Sequence, residues 1–391
     1  MKKEKNAGQQ KDNTPNVTRI KNYLEEHYQF RRNIVANCIE SRRRGDAAWG
    51  ETNENNLIVE LLEKYYAASE RLLMALLRSD FVEDFDPFRA YFEGLPAWDE
   101  SKPDHIGALS GCVKVDGSES KRFGLHFRKA LVRMVACALG EYVNKHAIVL
   151  IGKQNDGKTT FCRFLVPPAL SNYQKEHLSA DKDGRLEVCN NFLINLDELA
   201  ALSKNDIHQM KYLFSTAYVK ERPPYDRRSR TFPRRASFIG STNQDEFLAD
   251  VTGSVRWLCF RVQSFDFSYS HRVDIDLVYA QAYRLLKTGF DYKISAEELD
   301  ENEEANKEFR IMSLEAELIQ KHFASADEDT GVFKTPSDIL EGLHRVTSGR
   351  YRLDLVKIGK ALRQLGFERK CKRDEIKKLP RYGYYTQEIS F

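Results

Sequence analysis

Two hydrophobic rhythms divide the chain. From Leu57 to Leu77 (LIVELLEKYYAASERLLMALL) apolar residues return every three or four positions, and Phe123 to Leu139 repeats that period, so both stretches read as amphipathic helices. Val17 to Arg44 also reads as helix, and Asp86-Pro87 followed by FRAYFEGLPAW continues a helical, aromatic-rich region. Beyond residue 140 the rhythm changes to short solid apolar runs at Ala147–Ile151, Phe192–Leu196, Ala236–Gly240 and Val255–Val262. Such runs predict strands buried on both faces, as in a parallel sheet covered by helices. A helix from Lys204 to Phe214, capped by Ser203, separates the second run from the third. The expected organisation is a disordered tail (1–16), a helical N-terminal domain (17–140), an α/β core (141–290), an acidic helical connector (291–330) and a basic C-terminal domain (331–391).

The residues at the end of each apolar run carry the chemistry. After the first comes GKQNDGKT, which fits G-x-x-x-x-G-K-[ST] from Gly152 to Thr159 without a mismatch. Gly152 and Gly157 let the loop curl so that backbone N–H groups, those of Asn155, Asp156 and Thr160 included, point at a phosphate. Lys158 then neutralises the β- and γ-phosphates of ATP, and the Thr159 hydroxyl sits on Mg2+. The second run ends in Asp197-Glu198, an acid to hold the magnesium and a base to orient and deprotonate the attacking water. The third ends in Ser241-Thr242-Asn243, where Asn243 is suited to hold the water facing the γ-phosphate.

Charge adds a second partner. Lys220 to Arg235 carries seven basic residues against two acidic, with Tyr225 among the arginines. A basic, aromatic-bearing hairpin is what phosphate tracking and base stacking on single-stranded DNA require, with Lys220, Arg222, Tyr225, Arg227 and Arg228 as the contacts; a solvated loop is the alternative. Arg42, Arg43 and Arg44 form another basic run, read as a solvated face without a role. Between Asp291 and Asp329 there are 13 acidic residues against 4 basic, and from Gly331 to Phe391 there are 7 against 14. That basic end looks like a winged helix: Thr335-Pro336 opens a helix through Leu343, Leu353–Leu365 is a second, and Tyr382-Gly383-Tyr384-Tyr385 is a wing strand. Its net positive charge suits duplex DNA, with the second helix in the major groove, while protein contact is the alternative use of such a fold.

Length and composition set the remaining bounds. The 391 residues, 41% of them hydrophobic, suffice for two or three domains. No apolar run approaches bilayer-spanning length, and the polar, lysine-bearing start MKKEKNAGQQKDNTPN lacks the apolar core of a signal peptide, so the expectation is a cytoplasmic protein that does not engage a membrane. Seven scattered cysteines without a C-x-x-C pair argue against a disulfide framework or a zinc site.

Taken together these stretches resemble the virulence-associated protein E family, ATPases of phages and mobile genetic elements related to superfamily 3 helicases. The resemblance covers DPFRAYFEGLPAWDESKPDHI from Asp86, the phosphate loop, and RPPYDRRSRTFPRRASFIGSTNQDEFLADVTGSVRWLCFRV from Arg222. It implies an AAA+-like, superfamily 3 type P-loop core and a helicase or translocase that moves on single-stranded DNA as a homo-oligomeric ring, commonly a hexamer. Lys158, Thr159, Glu198 and Asn243 take the nucleotide roles in that reading. It also implies an arginine finger, with Arg256 the favourite and Arg234 the reserve, because Thr252-Gly253-Ser254-Val255-Arg256 keeps only one arginine of the family's pair. Where many members carry an acid, this chain has Asn195, leaving Asp197 to support the metal. A separately encoded primase or replication protein is an implied partner. Two other readings stay open: an origin-binding or loading ATPase without processive unwinding, and a nucleotide-gated DNA-binding protein.

Overall fold

The structure, a computed structural model, describes residues 14–64, 66–178, 182–199, 204–222, 229–248, 254–373 and 379–389. Its first unit is mixed rather than helical. Helix α1 (Asn16–His27) gives way to strands β1 (Tyr28–Asn33), β2 (Cys38–Arg43) and β3 (Gly50–Glu51), followed by α2 (Glu54–Glu63), α3 (Glu70–Leu77) and β4 (Asp84–Phe85). The strands form one sheet in the order β3-β2-β1-β4, with Tyr28 opposite Arg43. The helix expected over 17–44 therefore stops at His27, and the stretch 57–77 contains parts of two helices.

The reason is alternation that the arginines disguise. Tyr28, Phe30 and Ile39 face the helices, whereas Arg31 and Arg42 lie on the other face, their guanidinium groups 4.3 and 4.6 Å from the ring centre of Trp49. The arginine run braces the unit instead of merely solvating it. Arg42 donates to Gln29 Oε1 at 2.7 Å, Arg43 pairs with Glu60 at 2.7 Å, and Arg44 donates to the Glu25 carbonyl at 2.7 Å.

The core comes next along the chain. Helices α4 (Pro87–Glu93), α5 (His105–Ser110) and α6 (Ser120–Ala138) precede strand β6 (Ala147–Ile151), with β5 (Val113–Val115) between α5 and α6. Then come α7 (Lys158–Phe164), β7 (Gln174–Glu176), α8 (Lys182–Asn190), β8 (Leu193–Leu196), α9 (Lys204–Ser215), β9 (Tyr218–Glu221), β10 (Arg230–Pro233), β11 (Ser237–Thr242) and β12 (Trp257–Phe265). The central sheet runs β5-β12-β6-β11-β8-β7, parallel from β12 to β7 and antiparallel at β5. Alternate strand residues feed two cores. Ile148, Leu150, Leu193 and Phe260 pack with α6 residues such as Phe127 and Leu131, and Val149, Ile151, Ile194 and Phe238 pack with Phe214 of α9. Burial on both faces is why these strands read as unbroken apolar runs.

Two expected boundaries move. Because β5 pairs with β12 and α6 covers the sheet, the core starts before 140. The acidic connector also splits. After α10 (Tyr269–Arg272) and α11 (Ile275–Lys287), helix α12 (Ala296–Ala305) is tied to the core, since Asn302 and Asn306 each donate to the Trp257 carbonyl at 2.9 Å. Helix α13 (Leu314–His322) instead contributes Ala316, Leu318 and Ile319 to a separate C-terminal core. That unit continues through β13 (Phe323–Ser325), β14 (Val332–Lys334), α14 (Pro336–Val346), α15 (Leu355–Gln364), β15 (Lys370–Arg373) and β16 (Pro380–Glu388). Pro336 in the first turn and a Thr335–Asp338 capping box set the start of α14. Strand β16 pairs with β13, β14 and β15.

Buried imidazoles make the fold acid-sensitive. His126 on α6 is fully buried, and neither ring nitrogen has a hydrogen-bond partner among the described residues. Burial, reinforced by Arg122, pushes its imidazole down to about 4. The folded value lies below the ordinary one, so the unfolded chain binds the proton first and stability falls as pH drops from about 6.5 towards 4. His126→Leu is expected to remove up to roughly 3 kcal/mol of this acid destabilisation in urea unfolding followed against pH. An unchanged slope would mean that other groups carry it, His146 first, which burial and Arg133 push down to about 3.

Candidate functional site

Strand β6 ends at Ile151 and the chain curls through the glycine-bounded loop into α7. Gly152 anchors the curl: its N–H donates to the Thr242 carbonyl at 3.1 Å, and a Cβ there would fall 2.5 Å from Asp156 Oδ2 and 3.1 Å from the Val262 carbonyl oxygen. Gly157 adopts φ +97°, a conformation open to glycine, and Asn155 turns at φ 62°. The Lys158 ammonium is buried, donating to the carbonyls of Gly152 at 2.9 Å and Lys153 at 2.6 Å and to Asp156 Oδ1 at 2.8 Å. Asp156 Oδ2 is buried with no partner among the described residues.

The next two strands bring their ends to the same place. Asp197 follows β8; its Oδ2 accepts from Thr159 Oγ1 at 3.0 Å, while its Oδ1 accepts from the Ser241 hydroxyl and from the Glu198 N–H at 3.1 Å. Glu198 has φ 52° and an exposed side chain, and Asn243 is exposed just past β11. A cleft of about 380 Å3 is lined by residues 154–160, Asp197, Glu198 and Ser241 to Asn243. The chain thus gathers Asn155, Asp156, Gly157, Lys158, Thr159, Thr160, Asp197, Glu198 and Asn243, with Gly152 at the root. Asn195 does not line this cleft: it is buried, and neither amide atom has a partner among the described residues. Ser241 is an addition that the spacing of the motifs did not single out. The Cys162 thiol behind the loop is pushed up by burial and by the Asp197 charge, so it stays protonated.

These groups fit a magnesium-bound nucleoside triphosphate. A buried ammonium and curled loop N–H groups suit its phosphates. The Thr159 hydroxyl and Asp197 carboxylate are the sparse oxygen set that Mg2+ takes when phosphates complete its shell. Among the described residues, no group of three or more His, Cys, Asp or Glu side chains forms a metal cage of its own.

The opposite end of the sheet holds the remaining candidates. β9 and β10 form an antiparallel hairpin with Lys220 opposite Thr231, and it leads into β11 at the end where Ser237 lies opposite Leu193. Lys220 and Arg222 are exposed on it; Tyr225, Arg227 and Arg228, like Ser203, Thr252 and Gly253, lie outside the described residues. Tyr218, the first residue of β9, and Tyr212, in the last turn of α9, are 68% and 61% exposed; they were not singled out, because exposed tyrosines look ordinary in a sequence. The last arginines of the basic run are not surface charges. Arg234 is 1% exposed, donating to the carbonyls of Ala236, Leu213, Phe214 and Asn144, and Arg235 pairs with Asp86 at 3.0 Å. Its donors spent on main-chain oxygens, Arg234 is a structural residue rather than a reserve finger. Arg256 precedes Trp257, which lies opposite Ala147 at the start of β6. The length of β6, roughly 16 Å at the usual rise per residue, separates it from the loop of its own chain. Burial, then the nearby Arg256, lowers the pKa of Lys211 at this end.

Comparison with known proteins bears on the core. The sequence model of the virulence-associated protein E-like domain matches residues 111–311, just over half of the chain. No curated protein matches it. Among solved structures, the apo NrS-1 C-terminal region (305–718) aligns at TM-score 0.47 and 12% identity, covering 97% of this chain and 100% of that one. An A-form apo structure of the same region gives 0.49 and 10%, covering 96% and 100%. SCCmec type IV Cch, described as an active helicase, gives 0.37 and 13%, covering 90% of each.

The Asp156–Lys158 contact generates a test. A bound phosphate and the Asp156 carboxylate compete for one ammonium, and the two anions repel each other. Asp156→Asn keeps an acceptor for Lys158 and removes the charge, so it is expected to tighten inorganic pyrophosphate binding by about tenfold in calorimetry. Equal affinity would mean that the carboxylate leaves the ammonium without cost.

Proposed function

The chain belongs to the virulence-associated protein E-like family, and on that footing we propose that it is an ATP-driven helicase or translocase of a mobile genetic element, working on single-stranded DNA as a homo-oligomeric ring. One observation carries the proposal: Lys158, Thr159, Asp197, Glu198 and Asn243 converge on one cleft, while a hairpin bearing Lys220 and Arg222 stands at the far end of the same sheet. Lys158 and the loop N–H groups hold the phosphates, and Thr159 with Asp197 supports the metal. Bound Mg2+ offsets charge on the transferring phosphoryl group. Glu198 orients a water and takes its proton, and Asn243 steadies that water.

Arg256 serves a neighbouring subunit. It lies too far from its own loop to act there, which favours a finger supplied in trans within a ring, commonly a hexamer. The hairpin, with the exposed Tyr218 on its first strand, grips single-stranded DNA by phosphate contacts and stacking. The C-terminal unit is a winged helix, in which α15 offers Val356, Lys357, Lys360 and Arg363 on its exposed side to duplex DNA and β15–β16 form the wing. Among the described residues no helix is long and apolar enough to cross a membrane.

Chemistry and binding separate in two variants. Lys158→Ala is expected to lose ATP turnover together with nucleotide affinity, whereas Glu198→Gln retains ATP and loses on the order of 10²-fold or more in turnover. Glu198→Gln turning over like wild type would remove Glu198 from the role of base.

DNA grip is tested at the other end. Alanine at Lys220 and Arg222 is expected to weaken single-strand binding alike across sequences and to flatten its salt dependence by roughly 0.7 in log-log slope for each phosphate no longer neutralised. Basal ATP turnover is expected to persist while its stimulation by DNA falls. Intact stimulation with an unchanged slope would reduce the hairpin to a solvated loop.

A further inference from the structure

Strand β12 outlasts its neighbour. Arg261 lies opposite Ile151, the last residue of β6, and β12 runs on to Phe265 before the chain turns through Asp266, Phe267 and Ser268. The turn is braced on several sides. Asp266 N–H donates to the Cys112 carbonyl at 2.8 Å, Asp266 Oδ1 accepts from Ser268 N–H at 3.1 Å and from its hydroxyl at 2.6 Å, and Arg272 donates to Asp266 Oδ2 at 2.5 Å. From this turn the Phe267 side chain, 54% exposed, reaches back over the phosphate loop. A Cβ on Gly157 would fall 2.5 Å from its Cε1 atom. The loop therefore needs glycine at 157 for this approach as well as for the positive φ.

An exposed phenylalanine set against a phosphate loop calls for a ligand. Sheet order supplies the direction. Asp197, Glu198 and Asn243 follow β8 and β11, on one side of β6, and β12 is the neighbour on the other side. A nucleoside triphosphate has its γ-phosphate and its base at opposite ends. With the γ end facing Asp197 and Asn243, the base lies on the β12 side. We propose that Phe267 is the stacking platform for the nucleobase of the nucleotide held by the Gly152–Thr159 loop, an inference that rests on the reading of that loop as a triphosphate site. Stacking recognises the flat face of a base rather than its edge, so purine nucleotides, with the larger face, are the favoured class.

The test compares a ligand with a base and one without. Mg–ADP and inorganic tripolyphosphate are titrated into the full chain by calorimetry. Phe267→Ala is expected to weaken ADP by roughly tenfold, the loss of one base–aromatic stack, and to bind tripolyphosphate as wild type does. Phe267→Leu, which keeps bulk beside Gly157 without a π face, is expected to match alanine, and Phe267→Trp to restore ADP binding. Wild-type ADP affinity in Phe267→Ala overturns the inference. So does an equal loss of both ligands, which would make the ring a brace for the loop. A wild-type chain that binds neither ligand, or binds both without help from Lys158, overturns the loop reading itself and the platform with it.

Discussion

One carboxylate joins the parts of the cleft. Asp197 takes the Thr159 hydroxyl on one oxygen and the Ser241 hydroxyl on the other, so the helix after the phosphate loop and the ends of two neighbouring strands are drawn to one charged group. The Gly152 N–H bond to the Thr242 carbonyl closes the same junction from the backbone. Local charge-assisted contacts of this kind gain strength where water is scarce. A shift of one strand end is therefore felt by the other two.

The parallel sheet has two distinct ends. Strands β6, β8 and β11 present their C-terminal ends to the cleft, and the hairpin and Arg256 stand at their N-terminal ends. Helix α9 and strand β11 span the distance, and Arg234 ties them at the hairpin's root through the carbonyls of Leu213, Phe214 and Ala236. Under the proposed function this is a mechanical linkage: one packed body has the nucleotide at one end and DNA at the other. Buried Arg234 and Arg235 stiffen the root, and Lys220 on β9 and Arg222 just past its end remain exposed.

Much of the core was legible because its signals are local. A glycine-bounded loop between an apolar run and a helix, and an apolar run ending in two acids, are each recognisable within a dozen residues, and the structure brings them to one cleft. The hairpin was legible from its charge, but not its position at the far end of the sheet, since strand direction is a tertiary property. Arg234 and Arg235 looked like surface charges because the carbonyls and the Asp86 carboxylate that hold them come from distant segments. Strands β1 and β2 were hidden by arginines that stack on Trp49 and imitate a polar helix face. Phe267 carried no signal at all, because an exposed aromatic matters only when the fold brings it to Gly157.

The central claim is that nucleotide and DNA occupy opposite ends of one sheet in a ring. Electron-microscope imaging of the full chain with a non-hydrolysable ATP analogue, Mg2+ and single-stranded DNA tests it most directly. The account predicts a closed ring with nucleotide at Lys158, Thr159 and Asp197, Arg256 of one subunit directed at its neighbour's nucleotide, and DNA running along the β9–β10 hairpins. DNA lying across the phosphate-loop end of the sheet, or Arg256 facing solvent in a closed ring, would contradict it.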